Sequence, residues 1–379
     1  MNLFITGANG FIGRNLRAAL RQTGHRLLLI DVDSSAEEFQ FAAGNADFVF
    51  HLAGVNRPDS DTEFQTGNAD FTETLLSALE NGKRPPVLIS SSTQAALDNP
   101  YGKSKNKAEQ ALRRYNSRTK SPVYIYRLTN VYGKWSRPNY NSAVATFCYN
   151  MARGLPITVN NPEARLRLVY IDDVIAEFLR AFEGCPTCGH GGFCTAGPEN
   201  EITLKKLVSL LRTFGLARST LDLPDQRNAF TKKLFATYQS FLPPDRLAYT
   251  PQAHADERGS FAELLHMNAY GQMSVNVTKP HVTKGFHWHH TKHEKFIVVS
   301  GRGVIKLQNL FGGEIYTYEV NGDTMTVVDI PPGYIHMIQN TGSDNLVTLM
   351  WANEVFDQAR PDTFRCEFIE EPTGDEEHE

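Results

Sequence analysis

Nowhere in this chain is there a run of roughly 18 uncharged apolar side chains, the length needed to cross a bilayer, so no membrane insertion is expected. An excess of one charge sign is also missing. The 38 basic and 42 acidic residues leave a formal net charge of -4, which offers no global field for nucleic acid or an anionic bilayer. Any anionic ligand must therefore be met by local groups. The opening stretch MNLFITGANG lacks the basic region, apolar core and cleavage site of a signal peptide, and a cytoplasmic protein is expected. Cysteine is scarce and odd in number, five in all, so no disulfide framework is expected in a reducing compartment. No internal repeat is evident.

What the chain does have is length. Its 379 residues are more than twice the roughly 150 of one typical domain, so two domains are expected. The short apolar runs NLFIT (2–6), LLLI (27–30), DFVFHLA (47–53), PVLISSS (86–92), VYIYRL (123–128) and LRLVYI (166–171) read as buried strands. Stretches with helical spacing, such as FIGRNLRAALRQTG and DFTETLLSALENG, separate them. This alternation predicts an α/β Rossmann-type domain with a parallel sheet. Between Leu223 and Pro251, prolines bracket the helical NAFTKKLFATYQSFL, which reads as the closing helix of the first domain followed by a linker. From Asp256 the texture changes to short alternating runs broken by turns at SGRG, LFGGE, VNGD and PPGY, predicting an all-β barrel or sandwich. The acidic end EEPTGDEEHE reads as a solvated tail. The expected division is 1–245, 246–372 and a tail at 373–379.

Gly7, Gly10 and Gly13 follow the first strand and open the first helix. There they permit a tight turn and close approach of backbone to a pyrophosphate, which the helix N-terminus attracts. A glycine-rich helix start without a ligand is the competing reading. Asp31 closes the second strand, where a carboxylate can accept from a ribose diol and would repel a ribose phosphate. With Asp33 it leans toward NAD, unless a nearby basic side chain reverses this; a solvated turn aspartate is the alternative. Tyr101 and Lys105 are four residues apart in the helical YGKSKNKAEQALRR and share a face. The ammonium is expected to depress the phenol pKa, and Ser92 can bond the same substrate oxygen.

The motifs TGANGFIG (6–13), HLAG (51–54), Asn68 before a helix, SSS (90–92), YGKSK (101–105), RLTNVYG (127–133) and RLVYIDDV (167–174) occur in one order over the first 180 residues. In this the chain resembles the extended short-chain dehydrogenase/reductases that act on nucleotide sugars. The resemblance implies that Ser92, Tyr101 and Lys105 are catalytic, with Ser92 preferred to Ser91. It implies cofactor binding by Gly7, Asn9, Gly10, Phe11, Ile12, Gly13, Asp31, Leu52, Ala53, Gly54, Asn68 and Lys105. Asn130, Asn139, Asn141 and Arg167 sit where that family holds the nucleotide sugar.

Five histidines, His281, His287, His289, His290 and His293, fall within thirteen residues, and such clustering is a metal hypothesis in itself. His287 and His289 point to one face of a strand, with Glu294 and, after PPGYI, His336 to follow. Three imidazoles and a carboxylate suit a divalent metal, here expected to be zinc, with surface histidines as the competing reading. The two segments resemble both cupin motifs. Just upstream, DERGSF and TKGFH resemble the sugar-nucleotide 3,5-epimerase branch of cupins, which implies substrate binding by Arg258 and Lys284. In that branch the histidine matching His287 is the base and no metal binds. If His287 ligates metal here, His290, Lys284, Lys292 and Tyr334 stand as alternative bases. CPTCGHGGFC (185–194) could hold a structural zinc, but a glycine-rich loop with free thiols is the expectation.

Taken whole, from HLAGVNRP to GFHWHHTKHEKF and VVDIPPGYIH, the chain resembles the bifunctional UDP-sugar epimerase/reductases of capsule and O-antigen N-acetyl-L-fucosamine synthesis. The likeness implies a UDP-linked 4-keto-6-deoxy sugar, inverted at carbon 3 and reduced at carbon 4 to the L-talo product. It also implies NADPH, with NADH open, and a homodimer. A reductase whose cupin only binds sugar or dimerises, and an iron-dependent cupin oxygenase, are the competing functions.

Overall fold

The computed structural model describes residues 1–220, 222–250, 253–256, 259–262, 271–354 and 357–369. Arg258 and the acidic tail at 373–379 lie outside the described residues.

The first strands are β1 (Asn2–Thr6), β2 (Arg26–Ile30), β3 (Phe48–His51), β4 (Val87–Ser92), β5 (Val123–Leu128), β6 (Asn130–Tyr132), β7 (Arg165–Tyr170), β8 (Phe193–Cys194) and β9 (Glu199–Thr203). The helices are α1 (Phe11–Leu20), α2 (Ala36–Asn45), α3 (Asp61–Phe64), α4 (Phe71–Glu80), α5 (Pro100–Thr119), α6 (Ala143–Arg153), α7 (Ile171–Phe182), α8 (Leu204–Thr220) and α9 (Ala229–Gln239). Six strands form a parallel sheet in the order β2-β1-β3-β4-β5-β8. Winding reverses between β1 and β3, and the crevice at such a reversal is where α/β sheets take their ligands. Sequence dictates the burial: Phe4, Ile5, Val49, Phe50, Leu88 and Ile89 come from the apolar runs and are buried. The LRLVYI run does not join this sheet. β8 occupies the free edge of β5, and β7 instead pairs β6 in parallel and β9 antiparallel.

Helix α5 carries two of the candidate catalytic residues, and its start is set locally. The Asn99 side chain accepts from the Gly102 N–H at 2.7 Å, and Pro100 takes the first helical position, where a missing N–H costs nothing. Ala108, Ala111, Leu112 and Tyr115, spaced by three and four, bury the opposite end of the helix in the core.

The later strands are β10 (Ala248–Tyr249), β11 (Ala253–Asp256), β12 (Gly259–Ala262), β13 (Gln272–Thr278), β14 (Thr283–Trp288), β15 (Glu294–Ser300), β16 (Arg302–Asn309), β17 (Tyr316–Asn321), β18 (Val327–Ile330), β19 (Tyr334–Asn340), β20 (Leu346–Ala352) and β21 (Phe364–Arg365). They form two five-stranded sheets, β10-β18-β15-β20-β13 and β17-β16-β19-β14-β21, and a hairpin of β11 and β12, all antiparallel. The expected architecture, a Rossmann-type parallel sheet followed by an all-β part, is present. One detail of it serves the site. A bulge between Gly285 and His287 shifts the register of β14 so that His287 falls opposite His336. Gly285 has φ +116, and a Cβ there would lie 2.7 Å from the His336 carbonyl oxygen, so no larger residue fits.

By packing, the chain divides into Met1–Thr146 with Asn161–Leu204, and Phe147–Asn160 with Lys205–Glu379. This differs from a cut at residue 245. Helix α9 belongs to the second unit, where Lys232 pairs with Glu354 at 2.7 Å and the Phe235 ring meets His293 edge-on. A second departure concerns the thiols, which were expected to be free: Cys188 and Cys194 are joined by a disulfide. The β8 strand brings Cys194 back beside Cys188, and the bond removes two of the thiols a zinc would need. Among the described residues, no helix is long and apolar enough to cross a membrane.

Candidate functional site

In the first unit the end of β1 turns sharply into α1. Gly7 has φ +65, and a Cβ on it would lie 2.7 Å from the Ala53 nitrogen; one on Gly13 would lie 2.3 Å from the Gly7 oxygen. The turn closes on itself through Gly10 N–H to Gly7 O at 3.0 Å. At the start of α1, Gly10 caps without a side chain and the first turn carries no acid, so nothing within that turn offsets the partial positive charge of its N–H groups. These residues fit a dinucleotide pyrophosphate. The Asp31 carboxylate accepts from Asn9 N–H at 2.6 Å and Val32 N–H at 2.9 Å, which fixes it at the mouth of this turn. Arg17 donates to the Asn9 side chain at 2.6 Å and lies close enough to Asp31 for its charge to be felt.

At the ends of β4 and α5, Ser92, Tyr101 and Lys105 converge. The Tyr101 hydroxyl pairs with Ser92, and Lys105 Nζ lies 6.0 Å from the centre of the Tyr101 ring. Ser91 has a different job. Its hydroxyl donates to the buried Glu109 carboxylate at 2.5 Å, which also takes Arg127 at 2.6 and 3.0 Å. The expectation that Lys105 depresses the Tyr101 pKa is not met. Burial raises it, outweighing the Ser92 hydrogen bond, and Tyr140 adds to the rise. The reason is geometric: the ammonium sits over the ring and donates to the Ser90 carbonyl at 3.3 Å. Tyr101 thus keeps its proton at neutral pH and is set up to give it away.

Burial brings Lys105 down to about 8, with Glu109 opposing. Its positive charge is therefore lost as pH rises through that value. If Lys105 holds the cofactor ribose, affinity for reduced cofactor should fall as pH rises through about 8, and the profile should flatten in Lys105→Arg, whose charge does not titrate. Fluorescence titration of cofactor at several pH values measures this; an unchanged slope in the Arg variant would remove Lys105 from ribose binding.

A network that the sequence reading did not single out shapes the same corner. Asn68, on a π-helical turn at Gln65–Asp70, accepts from Val55 N–H at 2.8 Å and donates to Val55 O at 3.1 Å and Ser104 Oγ at 3.0 Å. Its amide thereby ties the 53–55 loop to α5. Gly54 gives the room: a Cβ there would lie 2.9 Å from both Asn68 Oδ1 and Lys105 Nζ. Behind them His51 is buried, with Thr6 Oγ1 at 2.7 Å from Nδ1 and Thr72 Oγ1 at 2.8 Å from Nε2. Thr72 donates to Asn68 O at 2.6 Å, so Nε2 carries the hydrogen and Nδ1 accepts from Thr6. Burial, then the Lys105 charge, hold His51 neutral, with its pKa at about 3. The signal was present in HLAG, but a histidine at a strand end says nothing of its partners.

The remaining candidates of this unit lie on the surface. Asn130, Asn139, Asn141 and Arg167 are exposed; Asn130 donates to Arg167 O at 3.0 Å, and Arg167 pairs with Glu199 at 2.5 Å.

In the second unit the four candidate ligands meet. One ligand atom from each of His287, His289, Glu294 and His336 lies within 4.8 Å of all the others. β14 supplies His287, the turn after it His289, β15 Glu294 and β19 His336. His289 Nδ1 is 2.5 Å from the Asp362 carbonyl oxygen, and His336 Nδ1 is 3.3 Å from that of Tyr334. A carbonyl only accepts, so both rings carry hydrogen on Nδ1 and present bare Nε2 lone pairs inward. Those lone pairs stand 3.1 and 3.3 Å from Glu294 Oε2, and the buried His336 Nε2 has no hydrogen-bond partner. Acceptors facing acceptors repel unless a cation lies among them. The donor set fits a divalent transition metal.

A cavity of about 220 Å³ opens on Glu294, with Lys292, Ser274, Met350, Arg360 and Asp362 among its lining. Of the four alternative bases, Lys292 lines it, its Nζ donating to Thr363 Oγ1 at 2.9 Å. Lys284 is turned to β13, bonded to Asn276 Oδ1 and Val277 O at 2.8 Å each.

Residues 3–192, half of the chain, match the family described as NAD-dependent epimerase/dehydratase. The chain belongs to that family. It is an oxidoreductase with a dinucleotide-binding first unit. Residues 254–364 match a polysaccharide biosynthesis C-terminal domain. A UDP-2-acetamido-2,6-beta-L-arabino-hexul-4-ose reductase from Pseudomonas aeruginosa is 43% identical over 97% of this chain and 98% of its own length. The capsular polysaccharide assembling protein CapF from Staphylococcus aureus is 46% identical, with a TM-score of 0.66 over 97% of this chain and 100% of that one. A second CapF structure, with the inhibitor 3-isopropenyl-tropolone, is 43% identical with a TM-score of 0.62 over the same 97% and 100%. The chain is thus a CapF-like enzyme of the epimerase/reductase class.

Proposed function

We propose that the protein inverts carbon 3 of a UDP-2-acetamido-2,6-dideoxy-4-ketohexose in the cupin part, residues 246–372, and reduces its 4-ketone within residues 1–245 to the L-talo sugar for capsule or O-antigen. The observation that carries the two-step reading is the coexistence of two complete constellations, Ser92–Tyr101–Lys105 and the His287–His289–Glu294–His336 cluster. The Pseudomonas relative supports the substrate class by its name, and the inward-facing Nε2 atoms of His289 and His336 beside Glu294 support a metal at the cluster. Chemistry sets the order. The carbon-3 proton is acidic only while carbon 4 is a ketone, so inversion must come before reduction.

His287, His289, Glu294 and His336 would hold zinc, which when bound supplies Lewis acidity to the 4-keto oxygen. Lys292, lining the cavity beside Glu294, is the base we favour for the carbon-3 proton. In the first unit the glycine turn and α1 N-terminus hold the pyrophosphate of NADPH, with NADH as the second cofactor to test, which when bound supplies hydride. Tyr101 gives its proton to the carbon-4 oxygen, Ser92 orients that oxygen, and Lys105 holds the ribose. Asn130, Asn139, Asn141 and Arg167 take the nucleotide sugar, and the enzyme works as a cytoplasmic homodimer.

Incubating the 4-keto sugar with the whole protein in heavy water tests this. Without reduced cofactor, carbon 3 should take up deuterium and the ketone should survive; with it, the deuterated sugar should lose the ketone. A protein that reduces without ever exchanging the carbon-3 proton would be a reductase whose cupin only binds sugar. Oxygen uptake with bound iron would make the cupin an oxygenase.

A further inference from the structure

The turn that carries His289 is held from far along the chain. Asp362 lies 73 residues beyond His289 and is bonded five times to the residues from 289 to 292. Its Oδ1 accepts from His290 N–H at 2.8 Å. Its Oδ2 accepts from Thr291 N–H at 2.8 Å, Thr291 Oγ1 at 3.0 Å and Lys292 N–H at 2.7 Å. Its main-chain oxygen takes His289 Nδ1 at 2.5 Å. One residue therefore ties down the whole turn and decides which nitrogen of His289 faces Glu294. The next residues are anchored too: Phe364 and Arg365 pair with Trp288 and His287 across β21 and β14. Side-chain and main-chain oxygens of Asp362 are thus fixed relative to the ligand strand, and Thr363 beside them holds Lys292 Nζ.

We propose that Asp362 is the positioning residue of the metal centre: its carboxylate sets the 290–292 turn so that its own carbonyl locks His289 as the Nδ1–H tautomer, leaving Nε2 bare for the ion. The inference rests on the metal reading of the His287–His289–Glu294–His336 cluster. Its signature is a loss of metal affinity that disappears once His289 is gone.

Competition of the whole protein against a chromogenic chelator for zinc measures that affinity directly, and cobalt(II) in place of zinc reports the ligand field through its visible bands. Asp362→Ala should bind zinc about 10- to 100-fold more weakly than wild type, with altered cobalt bands. Asp362→Asn, which keeps one acceptor oxygen against the turn, should fall between the two and carries the test if the Ala variant does not fold. In a His289→Ala background the same Asp362 substitutions should cost no further affinity. Zinc affinity equal to wild type in Asp362→Asn and Asp362→Ala, with only the melting temperature lowered, would overturn the proposal and leave Asp362 a structural clamp. Wild-type protein that takes up no zinc or cobalt would take the metal reading down, and this inference with it.

Discussion

Tyr101→Phe should lower the reduction of the 4-ketone by about 10²- to 10⁴-fold while leaving carbon-3 deuterium exchange at the wild-type rate. That span corresponds to roughly 3 to 5 kcal/mol of transition-state stabilisation. The size follows from what the side chain does. Hydride arriving at carbon 4 makes an alkoxide, and only a proton delivered in the same step relieves its charge. Tyr101 is placed to deliver it: burial raises its pKa and so keeps it protonated at neutral pH, and Ser92 holds its hydroxyl. Phenylalanine keeps the ring between Phe64 and Lys105, so packing and cofactor binding should survive. Single-turnover measurements with saturating reduced cofactor would isolate the chemical step. Loss of exchange in this variant would end the proposed division of labour between the two units, since Tyr101 has no role in the proposed carbon-3 step.

The reach of the sequence differs between the two units for a physical reason. Dinucleotide binding uses backbone, and backbone needs are written as glycines close together: Gly7, Gly10 and Gly13 could be read, and the contacts of Gly7 and Gly13 with Ala53 and the turn itself explain them. The four candidate metal ligands could be picked out because strand alternation and one turn bring them together at fixed spacing. The bulge at Gly285 was not readable as such, yet it is what sets His287 against His336. Partners distant in sequence left no trace. Asp362 was invisible beside His289, as was the chain from Thr6 through His51 and Thr72 to Asn68. The direction of the Tyr101 shift went wrong because spacing gives proximity to Lys105 but not burial, and burial won. The thiol pairing was missed on a compartment argument, which says nothing about two cysteines brought face to face by β8.

Removing the divalent ion should stop carbon-3 exchange, by at least about 10²-fold, and leave the reductase half working on a substrate already inverted at carbon 3. Stripping with a chelator followed by heavy-water exchange measures the first; reduced-cofactor oxidation with the inverted ketone measures the second. The expectation has an electrostatic root. Glu294 Oε2 lies 3.1 and 3.3 Å from two nitrogens that both point lone pairs at it, so the cluster is unfavourable by itself and a cation converts each repulsion into attraction. Metal-free protein should accordingly melt at a lower temperature than loaded protein, because an ion that binds only the folded state stabilises it by mass action. Zinc restored in stoichiometric amount should return both exchange and melting temperature. Exchange that persists undiminished in stripped protein would mean that proton removal relies on a side-chain base without Lewis-acid help, as in the epimerase branch where the histidine matching His287 is that base. In that event His287, held neutral with its pKa at about 3 by burial and by the neighbouring His336 and His289, would return as the first candidate.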